Sequence, residues 1–286
     1  MNPPEQPKNV PPRKTLKRFM LSFLTIAFGV YFGLLLLMFI FQSKMVYFPR
    51  KELVCTPADL RLEFEDLMLT VPGGQKINAW YVPSKNPAGT VIFSHGNGGN
   101  MCYSLDVVEN LSKMNYNVVL FDYRGYGRSE GSPSEKATYE DAQTVYDWLL
   151  KEKKISEDSI IAMGRSLGGA IAANLAKDNK PRALILESTF TSTKDVGADA
   201  YPFLPVRMLC RYNYSTLEYV GKIKCPLLVI HSPDDEVIPY KHGKQIFNSA
   251  GEPKEFLEIR GTHNEGFDDS KEIYVAGLKK FLEGLK

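Results

Sequence analysis

The chain has 286 residues, enough for one large domain and a short accessory segment. Apolar residues make up 44%, with 22 Gly and 18 Pro, a globular balance that excludes bulk disorder and collagen-like repeats. The net charge of +2 hides an asymmetry: residues 1–51 hold eight of the 35 Lys and Arg but only Glu5 of the 33 acids, so the remainder is mildly acidic and lacks the basic footprint of a nucleic-acid binder.

The first 18 residues are Pro-rich, polar and then basic, and read as a disordered tail. Phe19 to Phe41 is an uncharged, mostly apolar run of a length that spans a bilayer as a helix. It is longer than the apolar core of a signal peptide, and Phe41-Gln42-Ser43-Lys44 offers no small-residue cleavage site, so an uncleaved anchor is expected. Five basic residues precede the span, and Lys44, Arg50 and Lys51 follow it. By the positive-inside rule this margin puts the N-terminus in the cytoplasm and the following domain in an extracytoplasmic or lumenal space. Two sequons, at Asn110 and Asn213, are compatible with that side.

Residues 42–286 read as one α/β domain. Two short runs, Glu63–Val71 and Lys76–Val82, flank Pro72-Gly73-Gly74 and predict an antiparallel hairpin. Apolar, β-branched strands follow at Thr90–Ser94, Asn117–Asp122, Ser159–Met163, Ala183–Glu187, Leu227–His231 and Phe256–Arg260. Helices are predicted between and after them, near Cys102–Met114, Ser134–Lys153, Leu167–Asp178, Lys241–Asn248 and Asp268–Leu285. Short apolar strands alternating with amphipathic helices predict a mostly parallel sheet covered on both faces. Residues 188–224 break the rhythm with Tyr201, Phe203, Tyr212 and Tyr214, and read as a small cap or a long connection. The four cysteines, Cys55, Cys102, Cys210 and Cys225, form no CxxC pair and no zinc spacing with histidine. A Cys210–Cys225 bridge is one pairing open to an extracytoplasmic domain.

Chemistry enters at Gly164-Arg165-Ser166-Leu167-Gly168, a G-x-S-x-G pattern between a predicted strand and a predicted helix. In that context the glycines permit a strained turn that lifts the serine hydroxyl clear of the sheet, at a helix N-terminus that favours developing negative charge. Ser166 is therefore the candidate nucleophile. A serine needs a base, and the chain order that accompanies this turn is Ser, then acid, then His. His95 precedes Ser166, His231 precedes the best acid candidates, those that follow its own strand, and His242 sits on a predicted helix, which leaves His263. Asp234, Asp235 and Glu236 all follow the Leu227–His231 strand, and Glu187 satisfies the same order, so spacing alone leaves the acid open. The loop His95-Gly96-Asn97-Gly98 and the Leu167 N–H can supply backbone donors to an oxyanion. Neither this loop nor Gly125-Tyr126-Gly127-Arg128 matches a dinucleotide or P-loop fingerprint, so no cofactor is expected, and no metal.

On these motifs the chain resembles the α/β-hydrolase superfamily, and is most similar to small membrane-anchored α/β-hydrolase-domain serine hydrolases, some of which are acyl-protein depalmitoylases. Tyr47-Phe48-Pro49, Phe93 to Asn100, Asp122 to Gly127, Gly164 to Gly169, His231 to Pro239 and Gly261 to Asn264 carry the likeness. The resemblance implies the α/β-hydrolase fold after one transmembrane helix. It selects Asp235 as the acid, and Asn97, with Gly98 second, as the oxyanion donor beside Leu167. Ser232 departs from the glycine frequent there. The expected activity is hydrolysis of an acyl ester or thioester, lipid-borne substrates included, through an acyl-Ser166 intermediate. The competing readings are a catalytically silent scaffold on the same fold and a serine peptidase.

Overall fold

The computed structural model describes residues 13–285, and side-chain surroundings for 16–285, so residues 1–12 of the expected tail lie outside the described residues. The chain divides into two units, Met1–Gln42 and Ser43–Lys286. In the first, helix α1 runs Arg13–Ile40 and takes in Arg13, Lys14, Lys17 and Arg18, which the sequence reading left in the tail. Its stretch Leu16–Ile40 is long and apolar enough to cross a membrane. Phe19, Leu24 and Phe28 are exposed, so the helix has apolar side chains that no core covers.

A short helix α2 (Gln42–Val46) leads to strand β1 (Phe48–Pro49). The predicted hairpin forms as β2 (Glu65–Thr70) and β3 (Lys76–Val82). Then follow β4 (Gly89–Ser94), β5 (Gly98–Gly99), α3 (Leu105–Lys113), β6 (Tyr116–Phe121) and α4 (Glu135–Lys151). Next come β7 (Ile160–Arg165), α5 (Leu167–Asp178), β8 (Ala183–Glu187) and three short helices, α6 (Thr193–Ala200), α7 (Val206–Leu209) and α8 (Thr216–Val220). The chain ends in β9 (Leu227–His231), α9 (Lys241–Ser249), β10 (Lys254–Glu258), α10 (Gly266–Asp269) and α11 (Lys271–Gly284).

The main sheet has eight strands in the order β10-β9-β8-β7-β4-β6-β3-β2. Only β3 runs against its neighbours, β2 and β6; all other pairs are parallel. Strands buried on both faces read as unbroken apolar runs, as β4 and β6 do, whereas the edge strand β2 is mostly exposed. Ile92, Val119, Ala162 and Leu184 point into a core with α4 and α5; Val91, Phe93, Ile161 and Ile185 point into a second core with α3 and α11. The sheet is thus sealed on two sides, and its open chemistry is confined to strand ends.

Register places those ends together. Ser94 pairs with Gly164, Arg165 with Glu187, Glu187 with Ile230 and Glu258 with His231. Chain order reverses at β4, which lies between β6 and β7, and the crevice at such a switch point, beyond the carboxyl ends of the strands, is where open α/β sheets bind their ligands.

Three expectations need adjusting. The last strand lies two residues earlier than Phe256–Arg260: Ile259 is buried, but it packs beyond the ladder rather than within it. The last helix is broken at Ser270, whose hydroxyl accepts the Arg260 N–H at 2.6 Å and donates to the Arg260 carbonyl at 3.1 Å. The Cys210–Cys225 bridge that the sequence left open is not made: both are free thiols, and Cys225 is drawn into the α4/α5 core, where burial pushes its thiol up to about 11. The disulfide instead joins Cys55 and Cys102, with Cα atoms 5.5 Å apart.

Candidate active site

Strand β7 stops at Arg165 and α5 starts at Leu167, leaving Ser166 alone at the turn with φ 54° and ψ −120°. A non-glycine residue holds such a conformation only where its surroundings enforce it. Here the Ser166 N–H donates to the Glu187 carbonyl at 2.9 Å, and the Thr189 hydroxyl and Gly169 N–H donate to the Ser166 carbonyl at 2.7 and 3.0 Å. The flanking glycines are sterically required. A Cβ on Gly164 would stand 2.1 Å from the Gly168 carbonyl oxygen, and one on Gly168 only 1.9 Å from the Ser94 oxygen.

The turn after β9 delivers Asp235, whose side chain is fully buried. One carboxylate oxygen accepts the Val237 and Ile238 N–H groups at 3.0 and 2.7 Å; the other lies 2.8 Å from His263 Nδ1. Burial raises this carboxyl, but contacts to His231 and His263 and the Ile238 N–H outweigh it and hold the group well below the usual carboxylate range. His263 comes from the loop after β10, reached through Gly261 at φ 96°. Its Nε2 stands 3.2 Å from Ser166 Oγ. Serine, imidazole and carboxylate from three distant segments therefore form one hydrogen-bonded line.

The rival acids are employed elsewhere. Glu187 accepts from Arg165 Nε and from the Tyr274 hydroxyl, both at 2.7 Å. Asp234 is exposed, while Glu236 accepts the His263 backbone N–H at 3.0 Å. Among the other histidines, His242 lies between Thr191 Oγ1 and Asp199, each at 2.9 Å. His231 sits beneath the acid, its Nε2 donating to the Ile238 carbonyl at 2.9 Å and 3.5 Å from Asp235. His95 is buried against Tyr123 and Tyr126.

The loop after β4 closes the opposite side. Gly96 lies against Ser166: a Cβ there would be 3.8 Å from that of the serine. The Tyr123 hydroxyl holds the His95 carbonyl and the Tyr126 hydroxyl holds the Asn97 carbonyl, each at 2.7 Å. The N–H groups of Asn97 and Leu167 have no protein acceptor among the described residues. Sequence reasoning missed Thr189 and the supports beneath Asp235. They are ordinary Thr, His and Glu residues whose role depends on distance in space, and only the tight spacing of His231 to Glu236 hinted at them.

A mostly parallel sheet with helices on both faces and a serine on a strained strand-to-helix turn at its switch point defines the α/β-hydrolase class. Comparison with known proteins agrees. The family model described as "Serine aminopeptidase, S33" matches residues 85–212. The α/β hydrolase domain-containing protein WAV2 of Arabidopsis thaliana is 34% identical over 85% of this chain and 88% of its own length. Protein bem46 of Schizosaccharomyces pombe is 32% identical, over 79% of this chain and 81% of its own. The chain belongs to the α/β-hydrolase superfamily. A Pyrococcus furiosus esterase superposes with a TM-score of 0.72 at 22% identity, covering 84% of this chain and 98% of the esterase, a likeness of fold.

Proposed function

We propose that the protein is a membrane-anchored serine hydrolase that cleaves an acyl ester or thioester. The observation that carries this is the line Ser166 Oγ, His263 Nε2, Nδ1, Asp235, at 3.2 and 2.8 Å. His263 takes the serine proton as Oγ attacks the acyl carbon, and Asp235 fixes the imidazole tautomer and stabilises its charged form. The Leu167 and Asn97 N–H groups receive the oxyanion, aided by the N-terminus of α5. His263 then protonates the leaving alcohol or thiol, and the same base activates water to release the acyl group from Ser166.

Helix α1 anchors the domain in the membrane in this reading, with the domain on the extracytoplasmic or lumenal side. The charge asymmetry around the span supports that side, and the Cys55–Cys102 disulfide fits an oxidising compartment. Lipid-borne acyl groups are then the natural substrates. A peptidase is the second reading, favoured by the description of the matched family model.

A fluorophosphonate probe should label the wild type and fail to label Ser166→Ala. Labelling of the variant would sink the nucleophile assignment. An ester, thioester and aminoacyl-amide panel separates the two readings: cleavage of amides alone would replace the esterase by the peptidase.

A further inference from the structure

The His95–Gly99 loop is held by a segment far away in sequence. Strand β1 lies parallel to β5, pairing Phe48 with Gly98 and Pro49 with Gly99. The Phe48 N–H donates to the Asn97 carbonyl at 3.0 Å and the Arg50 N–H to the Gly99 carbonyl at 2.8 Å. In return Asn97 Nδ2 donates to the Val46 carbonyl at 3.1 Å. Further on, Asn100 Nδ2 donates to the carbonyls of Arg50 and Glu52 at 3.2 and 2.7 Å, and the Gly127 N–H donates to Arg50 at 2.9 Å. The Cys55–Cys102 bond closes the far end. At the near end Tyr47 is buried, its hydroxyl 2.7 Å from that of Tyr214 and its ring edge-on to Tyr212 at 5.5 Å. The loops after β4 and β6 and the 188–224 segment all converge on this one stretch of chain.

We propose that Val46–Glu52 is a positioning strap for the oxyanion loop, with the Phe48 backbone as its working element. The inference rests on the Ser166 reading above and deepens it. Gly98-Gly99 has no side chains to pack, and a free diglycine loses more conformational freedom on ordering than any other pair. Something must order it, and the strap is the strand that pairs with it. Asn97 sits between two fixed carbonyls. Its own oxygen is held by the Phe48 N–H and the Tyr126 hydroxyl, and the Gly96 oxygen, on the peptide that bears the Asn97 N–H, accepts from His95 Nδ1 at 2.7 Å. Fixing both peptide planes aims the Asn97 N–H at the crevice before any oxyanion forms. Donors aimed in advance act on the transition state, so the strap governs kcat and leaves substrate binding largely alone.

The test uses the full-length protein in detergent, a short-chain p-nitrophenyl ester and an alkyl boronic acid, whose tetrahedral adduct mimics the oxyanion. Phe48→Pro removes the N–H that grips Asn97. It should lower kcat about tenfold with KM within about twofold, and raise the boronate inhibition constant by the same factor as kcat falls, since losing an oxyanion donor outright costs ~10²–10³. An unchanged kcat overturns the strap, as does a rise in KM with kcat preserved. Should Phe48→Pro lose its cooperative thermal transition, Tyr47→Phe decides: a fall in kcat of about threefold at constant KM supports the strap, and no change overturns it. Fluorophosphonate labelling of Ser166→Ala runs alongside. Labelling lost there but kcat intact in the strap variants refutes the strap alone; labelling retained refutes the nucleophile reading and the strap with it.

Discussion

Glu236 grips the backbone of His263, Oε2 to N at 3.0 Å, while the adjacent Asp235 grips its imidazole at 2.8 Å. Two consecutive carboxylates thus hold one histidine by different atoms, and the consequences of losing each should differ. Asp235→Asn leaves the imidazole in the wrong tautomer and should lower kcat by ~10³–10⁴. Glu236→Ala removes only an exposed hold on the loop, and a loss within about tenfold is expected. Glu187→Gln should touch kcat less still, because Glu187 partners Arg165 and Tyr274; its cost should appear in the melting temperature, as a half-buried Arg165 left with Asp106 alone. Steady-state kinetics and melting curves of the three variants check this, and a crippled Glu187→Gln with an active Asp235→Asn would reverse the acid assignment.

The depressed Asp235 carboxyl also ties stability to pH. A group whose folded pKa lies below its unfolded value of ~3.9 contributes stability that is complete above that value and drains away as pH falls through it toward the folded one. Urea midpoints measured from pH 6 down to pH 3 should therefore fall more steeply for the wild type than for Asp235→Asn. Parallel curves would mean that the carboxyl titrates normally.

Much of this architecture was legible because its signals are local. Strands β8 and β9 and helix α5 fall where the apolar runs and the G-x-S-x-G turn put them, since apolar runs this brief are too short for a helix and fit a strand buried on both faces. The edge strand β10 was misplaced by two residues because its half-exposed pattern blends into Ile259. Strap and disulfide were invisible for another reason. Phe48 and Asn97, like Cys55 and Cys102, are brought together by topology, and a two-residue strand has no periodicity to read. The acid was ambiguous in spacing because Asp234, Asp235 and Glu236 differ only in which one the turn buries.

The two sequons are no longer equivalent. Asn110 lies in α3, only 8% exposed, with Nδ2 donating to the Asp106 carbonyl at 2.6 Å. Asn213 lies in the half-exposed connection between α7 and α8. If the domain faces the lumen, expression through a eukaryotic secretory pathway should give a glycosidase-sensitive mobility shift that Asn213→Gln abolishes and Asn110→Gln leaves in place. The opposite pattern would contradict the fold around α3. Protease access to the domain from the cytoplasmic side alone would overturn the proposed orientation.

The final expectation concerns what the apolar helix contributes to catalysis. Between Phe41 and the predicted hairpin at Glu63 the sequence alone leaves a tether of about twenty residues. The strap shortens it, since hydrogen bonds to the oxyanion loop begin at Val46, six residues after Ile40. At most ~3.5 Å per residue, this length of chain reaches about 20 Å. If α1 lies in a bilayer as proposed, a tether so short raises the effective concentration of acyl groups in that bilayer without adding a contact to the substrate. Removal of residues 1–45 takes away the Ser43 carbonyl that accepts the Tyr47 N–H, but spares every hydrogen bond between the strap and the His95–Asn100 loop and all of the Ser166 line, so turnover of a soluble short-chain ester should stay within about twofold of wild type. Turnover of acyl substrates embedded in vesicles should fall about tenfold or more, because each encounter then becomes bimolecular. Parallel assays on the two substrates make the comparison. Equal loss on both would mean that residues 1–45 belong to the catalytic fold, and equal retention would mean that confinement plays no part in choosing the substrate.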